Sequence, residues 1–145
     1  MAGGDLHWIW SLYDIYARVD HGYGWPSFNK GDGFTSAQGL LNLVECVINF
    51  TFVYYKHILG SPIAPLIGFS GALLTLAKTF LYFFNDYFCG FCHTKHNTMA
   101  DYLLVYVLPN SLWILFPALI TYKLGKELAS TLVRAEQQSQ RIKSK

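Results

Sequence analysis

Glu45 stands in the middle of GLLNLVECVINFTFVYY (Gly39–Tyr55), a run apolar enough for a lipid interior. An ionisable group at such a depth is costly, which makes it a functional candidate by default. Other polar residues follow the same geometry. Gln38, Asn42, Glu45 and Asn49 are spaced 4, 3 and 4 apart and share one helix face. Thr75, Lys78, Tyr82 and Asn85 are spaced 3, 4 and 3, and Tyr106, Asn110, Trp113 and Pro117 are spaced 4, 3 and 4. At the helical rise per residue, Glu45 lies roughly 10 Å from Gln38, Lys78 roughly 12 Å from Asp86 and Asn110 roughly 13 Å from Asp101. Counted from one side, the three depths agree, so Glu45, Lys78 and Asn110 are expected in one layer. Gln38, Asn42, Asn49, Tyr82, Tyr106 and Trp113 are expected to line the same cavity.

The chemistry open to this set is acid/base. A desolvated carboxylate has a raised pKa and holds a proton near neutrality, whereas a neighbouring Lys78 favours the anion. Which influence wins at Glu45 stays open. A protonated carboxyl can donate to an alkene or an epoxide, and the faces of Trp113, Tyr82 and Tyr106 can stabilise the cation that develops. Asn110 can orient a hydroxyl or a water. The substrate must itself be lipophilic to reach this depth. The plainer alternative makes Glu45 and Lys78 a structural ion pair and the amides interhelical glue.

Three helices must position these residues. Hydrophobic residues form 52% of the chain and charged ones 14%, against about 25% charged in a soluble domain. Apolar stretches at 38–58, 65–86 and 101–122 each have the length of a membrane span. The fold class expected is an all-α integral membrane protein, a three-span helix bundle in a single domain. HWIWSLYDIYARVD (7–20) places Trp8, Ile9, Leu12, Ile15 and Tyr16 at helical spacing and reads as an interfacial helix. Residues 123–145 read as a basic cytosolic helix that frays. MAGGDLHWIW has an acid and no basic start, unlike a secretory signal peptide. The net charge of +2, with no basic cluster in a folded region, argues against nucleic acid as a partner. Lys56, Lys123, Lys126, Arg134, Arg141, Lys143 and Lys145 fall on one side and Arg18, Lys30 and Lys95 on the other. That bias predicts a cytosolic C-terminus, with the endoplasmic reticulum as the expected membrane. Three spans enclose a pocket only thinly, which leaves room for a homodimer.

Asp20, Asp32, Asp86 and Asp101 are expected near the opposite mouth. Asp32-Gly33 is a typical turn pair and Asp101 is expected to cap the third span. CGFCH (Cys89–His93) matches the pattern for c-type haem attachment, and with His96 it also resembles a zinc site. The loop is too short to enclose a haem. The expectation is a structural or redox-silent cysteine pair, which can be a disulfide, with no metal and no cofactor.

YARVDHGYG (Tyr16–Gly24), Glu45, LYFFND (Leu81–Asp86) and NSLWILFPALI (Asn110–Ile120) occur in an order that resembles the emopamil-binding protein and sterol Δ8–Δ7 isomerase family, the EXPERA domain. Within it, GWPSFNKGDGFTSAQGLLNLVE (Gly24–Glu45) is most similar to the small membrane-bound epoxide hydrolases and terpene cyclases of fungal secondary-metabolite clusters. Those act in polyene-pyrone and ascochlorin or ascofuranone pathways. The resemblance implies proton transfer at Glu45. It implies substrate contact and charge stabilisation at Asn110 and Trp113, the N-x-x-W pair, and a site role for Asp20 and Tyr23, the D-x-x-Y of the loop. The sterol isomerases carry an earlier span with a further His and Glu, and Lys78 has no counterpart there. Moving a double bond needs one group to give a proton and another to remove one. Epoxide opening needs an acid and a nucleophile, which suits the shorter set. The expected activity is therefore opening of an epoxide on a lipophilic polyketide or meroterpenoid, by hydrolysis or cyclisation. Asp20, Glu45, Lys78 and Asn110 are the expected catalytic residues, with Tyr23 and Asp32 beside the substrate. A sterol-type isomerase and a non-catalytic sterol-binding protein are the rivals.

Overall fold

A computed structural model of the chain describes residues 7–144, and among these it is all-helical. Helix α1 (His7–Val19) is followed by a single 3-10 turn (His21–Tyr23) and a short α2 (Trp25–Lys30). Helix α3 (Phe34–Val53) ends in a π-helical turn, Tyr54–Ile58. Gly60, in the left-handed region at φ 58°, and the prolines of Ser61–Pro65 separate it from α4 (Ala64–Phe88). The short α5 (Met99–Asp101) and a second π-helical turn (Tyr102–Val107) lead into α6 (Leu108–Lys143). The polar stretch read as a basic C-terminal helix continues α6 without a break as far as Lys143. Lys145 and the side chain of Leu12 lie outside the described part.

Three segments are long and apolar enough to cross a membrane: Phe34–Ile58, Ala64–Phe88 and Met99–Lys143. Their side chains are sorted in the reverse of a soluble protein. Leu40, Leu43, Val47, Phe50, Leu104 and Leu119 are exposed, while Gln38, Glu45, Thr79 and Asp86 are buried. In water such a surface would be one large apolar patch. In hydrocarbon it is the expected arrangement, because polar groups there must find partners inside the protein.

The chain divides into two compact units. The first joins Met1–Leu41 to Lys78–Trp113. In it, Asn97 Nδ2 donates to Val19 O at 2.7 Å, and His21 N donates to His93 O at 3.1 Å, so the 89–98 loop is tied to the end of α1. The second joins Asn42–Ala77 to Ile114–Lys145 and is packed through small residues. A Cβ on Gly68 would lie 2.9 Å from the Phe52 ring and 3.0 Å from Leu124, and one on Gly125 would lie 3.2 Å from Phe69. Such close approach of helices is characteristic of membrane interfaces, where small residues replace hydrophobic driving force.

Gly68→Ala is therefore expected to destabilise the protein by about 1–3 kcal/mol, the usual cost of overpacking. Gly39, in α3, has open space around its Cβ position. Gly39→Ala is expected to stabilise by roughly 0.5–1 kcal/mol through helix propensity alone. Thermal unfolding in detergent micelles reads both, and equal effects would contradict the packing described.

Candidate active site

At the end of α1 the chain turns sharply. Asp20 N still donates to Tyr16 O at 2.8 Å, after which the Asp20 backbone is extended and its side chain caps the 3-10 turn. Asp20 Oδ1 accepts from Gly22 N at 2.8 Å. The carboxyl is 0% exposed. Its second oxygen, Oδ2, accepts from the Tyr82 hydroxyl of α4. Tyr82 Oη lies 2.7 Å from Tyr16 Oη, and Asn110 Nδ2 of α6 donates to Tyr16 Oη at 2.9 Å. One polar chain thus runs Asp20–Tyr82–Tyr16–Asn110, through three helices of the first unit.

The direction of this chain is constrained. Asn110 Nδ2 gives one proton to Tyr16 Oη and the other to Tyr106 O at 2.7 Å. An amide nitrogen only donates, so Tyr16 oxygen is an acceptor from Asn110 whatever the state of Asp20. When Asp20 is ionised, Tyr82 donates to it and Tyr16 donates to Tyr82. When Asp20 is protonated, both hydroxyls turn over and the Tyr16 proton points out of the chain. The arrangement is a hydrogen-bonded chain whose direction can reverse, with Tyr16 and Asn110 at one end and Asp20 at the other.

Aromatic rings enclose the relay. Tyr23 lies edge-on to Tyr16 and Tyr82, with centroids 5.7 and 5.9 Å apart, and Tyr106 lies 5.6 Å from Tyr82. Tyr106 is 1% exposed, and its hydroxyl is buried beside that of Tyr82. The π-helical turn before α6 carries Tyr106 to this position, with Leu108 N donating to Leu103 O. Pro109 follows it, and the clash of a proline ring with the carbonyl four residues back favours such a widened turn.

Burial raises the pKa of Asp20 above the usual carboxylate range, although the Tyr82 and Gly22 hydrogen bonds oppose the shift. Burial likewise raises Tyr16, and it pushes Tyr23 up to about 12. Each of these groups therefore keeps its proton to a higher pH than it would in water.

Of the residues singled out by sequence, Asp20, Tyr23, Tyr82, Tyr106 and Asn110 come together here. Tyr16 completes the relay and had been read only as part of an interfacial face. Gln38 is buried, and its Nε2 donates to the backbone carbonyl of Lys78 at 3.2 Å. Trp113 is 61% exposed. Glu45 is 8% exposed and belongs to the second unit, as do Asn42 and Asn49, both exposed. Asp32 is exposed: Oδ1 accepts from Phe34 N at 3.0 Å and Oδ2 from Ser27 Oγ at 3.1 Å. The Phe34 N–H bond holds its pKa below the usual value. The cap of the third span comes from Thr98 rather than Asp101: Thr98 Oγ1 accepts from Asp101 N at 3.2 Å and donates back to Asp101 Oδ2 at 2.7 Å. Cys89 and Cys92 are joined as a disulfide.

Comparison of the chain with protein-family models, with curated proteins and with solved structures returned no match.

The raised pKa of Asp20 has a consequence for stability. The folded protein holds this proton more tightly than the unfolded chain, so the contribution is fully present below about pH 3.9 and is lost as pH rises through the raised value. His21, whose pKa is lowered by burial, acts in the opposite sense and loses its contribution as pH falls below about 6.5. Asn at position 20 keeps the shape and removes one titration. The melting temperature of Asp20→Asn relative to wild type is expected to rise as pH goes from about 4 to about 8. A difference that stays constant with pH would contradict the assigned shift.

Proposed function

We propose that this protein is a multi-pass membrane enzyme that opens an epoxide on a lipophilic polyketide or meroterpenoid by acid/base catalysis. The observation that carries the reading is the buried Asp20 carboxyl joined through Tyr82 to Tyr16 and Asn110. Asp20 holds the proton, and the two hydroxyls deliver it to the epoxide oxygen as the C–O bond breaks. A water or a hydroxyl of the substrate attacks the carbon. Its proton returns along the same hydroxyls to Asp20, which leaves the enzyme unchanged. The buried Tyr106 hydroxyl, next to that of Tyr82, is a second donor for the substrate oxygen. The tyrosine faces stabilise positive charge at carbon. Three apolar helices and an apolar exterior support a membrane location, and the excess of basic residues toward the C-terminus supports a cytosolic end. The motif order that resembles the emopamil-binding family and the small fungal epoxide hydrolases and cyclases supports the substrate class.

The test is turnover of epoxidised prenylated phenols and polyenes by the full chain in lipid nanodiscs, in ¹⁸O-labelled water. Label in the product means hydrolysis, and its absence from a cyclic product means internal attack. Asp20→Asn and Tyr16→Phe are each expected to lower kcat by about 10²- to 10⁴-fold, the usual contribution of a positioned acid. Full activity in folded Asp20→Asn protein would remove the proposed acid. Glu45 is proposed on sequence grounds as a further acid/base group. Glu45→Gln is expected to reduce turnover with melting unchanged, whereas loss of folded protein would assign it to packing.

A further inference from the structure

The loop after α4 contains an arrangement that the acid/base reading does not use. Cys89, Cys92 and His93 each bring one ligand-type atom to within 4.8 Å of the others. The two residues between the cysteines both have left-handed backbones, Gly90 at φ 73° and Phe91 at φ 57°. Glycine adopts that conformation freely and phenylalanine does not, so the fold sustains an unfavourable backbone at Phe91. The resulting turn folds both sulfurs and the imidazole toward one point.

The loop is braced from outside this point. Asp86 Oδ1 accepts from His93 N at 3.0 Å, and Asp86 Oδ2 accepts from Thr94 Oγ1 at 2.5 Å. His93 O takes the His21 N–H, and Asn85 Nδ2 lies 3.4 Å from His93 Nε2. Backbone and ring of His93 are therefore positioned by groups other than the cysteines. A cavity of about 240 Å³ adjoins the turn, and Cys89, Cys92 and His93 line it together with His21 and Asp32. Lys30 also reaches it and is the one ammonium in the lining.

Two thiolates and an imidazole are the donor set of a thiophilic, tetrahedral cation, with the fourth position left to water. We propose that the dithiol form of this loop is a Cys2His site for zinc, and that the disulfide form is its closed state. Reduction needs an external two-electron reductant: either two thiols form a disulfide, or a phosphine takes oxygen from water to become its oxide, and in both cases the Cys89–Cys92 bond opens to two thiols. Metal entry then releases one proton from each thiol to solvent, and the metal changes no oxidation state. The site stands on the loop geometry and is independent of epoxide chemistry.

The experiment uses the full chain in detergent micelles, reduced with a phosphine so that no competing thiol is present, with Co²⁺ as the optical probe. Reduced wild type is expected to show a sulfur-to-cobalt charge-transfer band and tetrahedral ligand-field bands that Zn²⁺ abolishes. The oxidised protein, identical in sequence, is expected to show neither. Cys46→Ser is expected to leave the bands unchanged, since this free cysteine lies in α3. Cys89→Ser with Cys92→Ser is expected to abolish them, and His93→Ala to weaken metal affinity by about tenfold or more. Absence of the charge-transfer band in reduced wild type would overturn the site. So would bands equally strong in oxidised protein, or an affinity unchanged in His93→Ala. Should the double serine variant fail to fold, the oxidised wild type serves as the control lacking thiolates.

Discussion

A carboxyl buried to 0% exposure is the constraint around which the first unit is organised. A carboxylate without partners costs far more in such a place than a paired one or a protonated one. Asp20 meets the requirement with one backbone N–H and one phenol, and each imposes a position on something else. The Gly22 bond fixes the 3-10 turn after α1, and the Tyr82 bond brings α4 to it. Asn97 and His93 then hold the far loop against the same turn through Val19 O and His21 N. Removing the carboxyl's shape would release all of these, whereas replacing it with an amide would release none. That separates its structural role from its proton.

The exterior explains why such polar groups can be afforded a place indoors. Apolar side chains cover the surface, so there is little drive to bury more of them, and the interior is left for groups that hydrocarbon cannot solvate. Gln38, Glu45, Thr79 and Asp86 are all inside on this account. Packing then depends on close approach, which Gly68, Gly71 and Gly125 permit in the second unit.

The three long helices were legible from run length and from the breakers between them, and Gly60 and the prolines after it do separate the first two. Much of the polar cluster was legible too, since Tyr82, Tyr106 and Asn110 were read from helical spacing and Asp20 and Tyr23 from motif order. Tyr16 was missed, although the signal was present: Tyr13, Tyr16, Asp20 and Tyr23 repeat the 3, 4, 3 spacing used to find the polar faces of the spans. It was hidden because Trp and Tyr near a span usually mark the interface. Asp101 was read as the cap at a helix start, where it does lie, and Asp32 both as a turn residue and beside the substrate; its bonds to Phe34 and Ser27 show the first. The partner that caps the third span is Thr98, and spacing alone does not say which member of a Thr-x-x-Asp pair accepts from the backbone. The widened turn at Tyr102–Val107 had no sequence sign other than Pro109, and it sets the facing of Tyr106. The meeting of α1 with α4 was beyond periodicity altogether, because periodicity gives a face and not its partner.

If the protein is the epoxide-opening enzyme proposed above, the hydrogen-bonded chain also bears on why a tyrosine rather than a carboxyl should meet the substrate. A carboxyl in direct contact with a developing cation would be drawn to its anion and could trap the cation as an ester. Two phenols between them remove the nucleophile while preserving the proton path. Their own acidity is weak, since burial raises Tyr16, so the phenols relay a proton and do not store one. Storage falls to Asp20, whose raised pKa keeps it charged with a proton under conditions where an exposed aspartate would have lost it. Asn110 gives the path its polarity by occupying one acceptor site of Tyr16 in both states. On the proposed mechanism, acid strength, distance from the cation and direction of transfer are assigned to three different residues, so that no single side chain in the sequence would announce the chemistry.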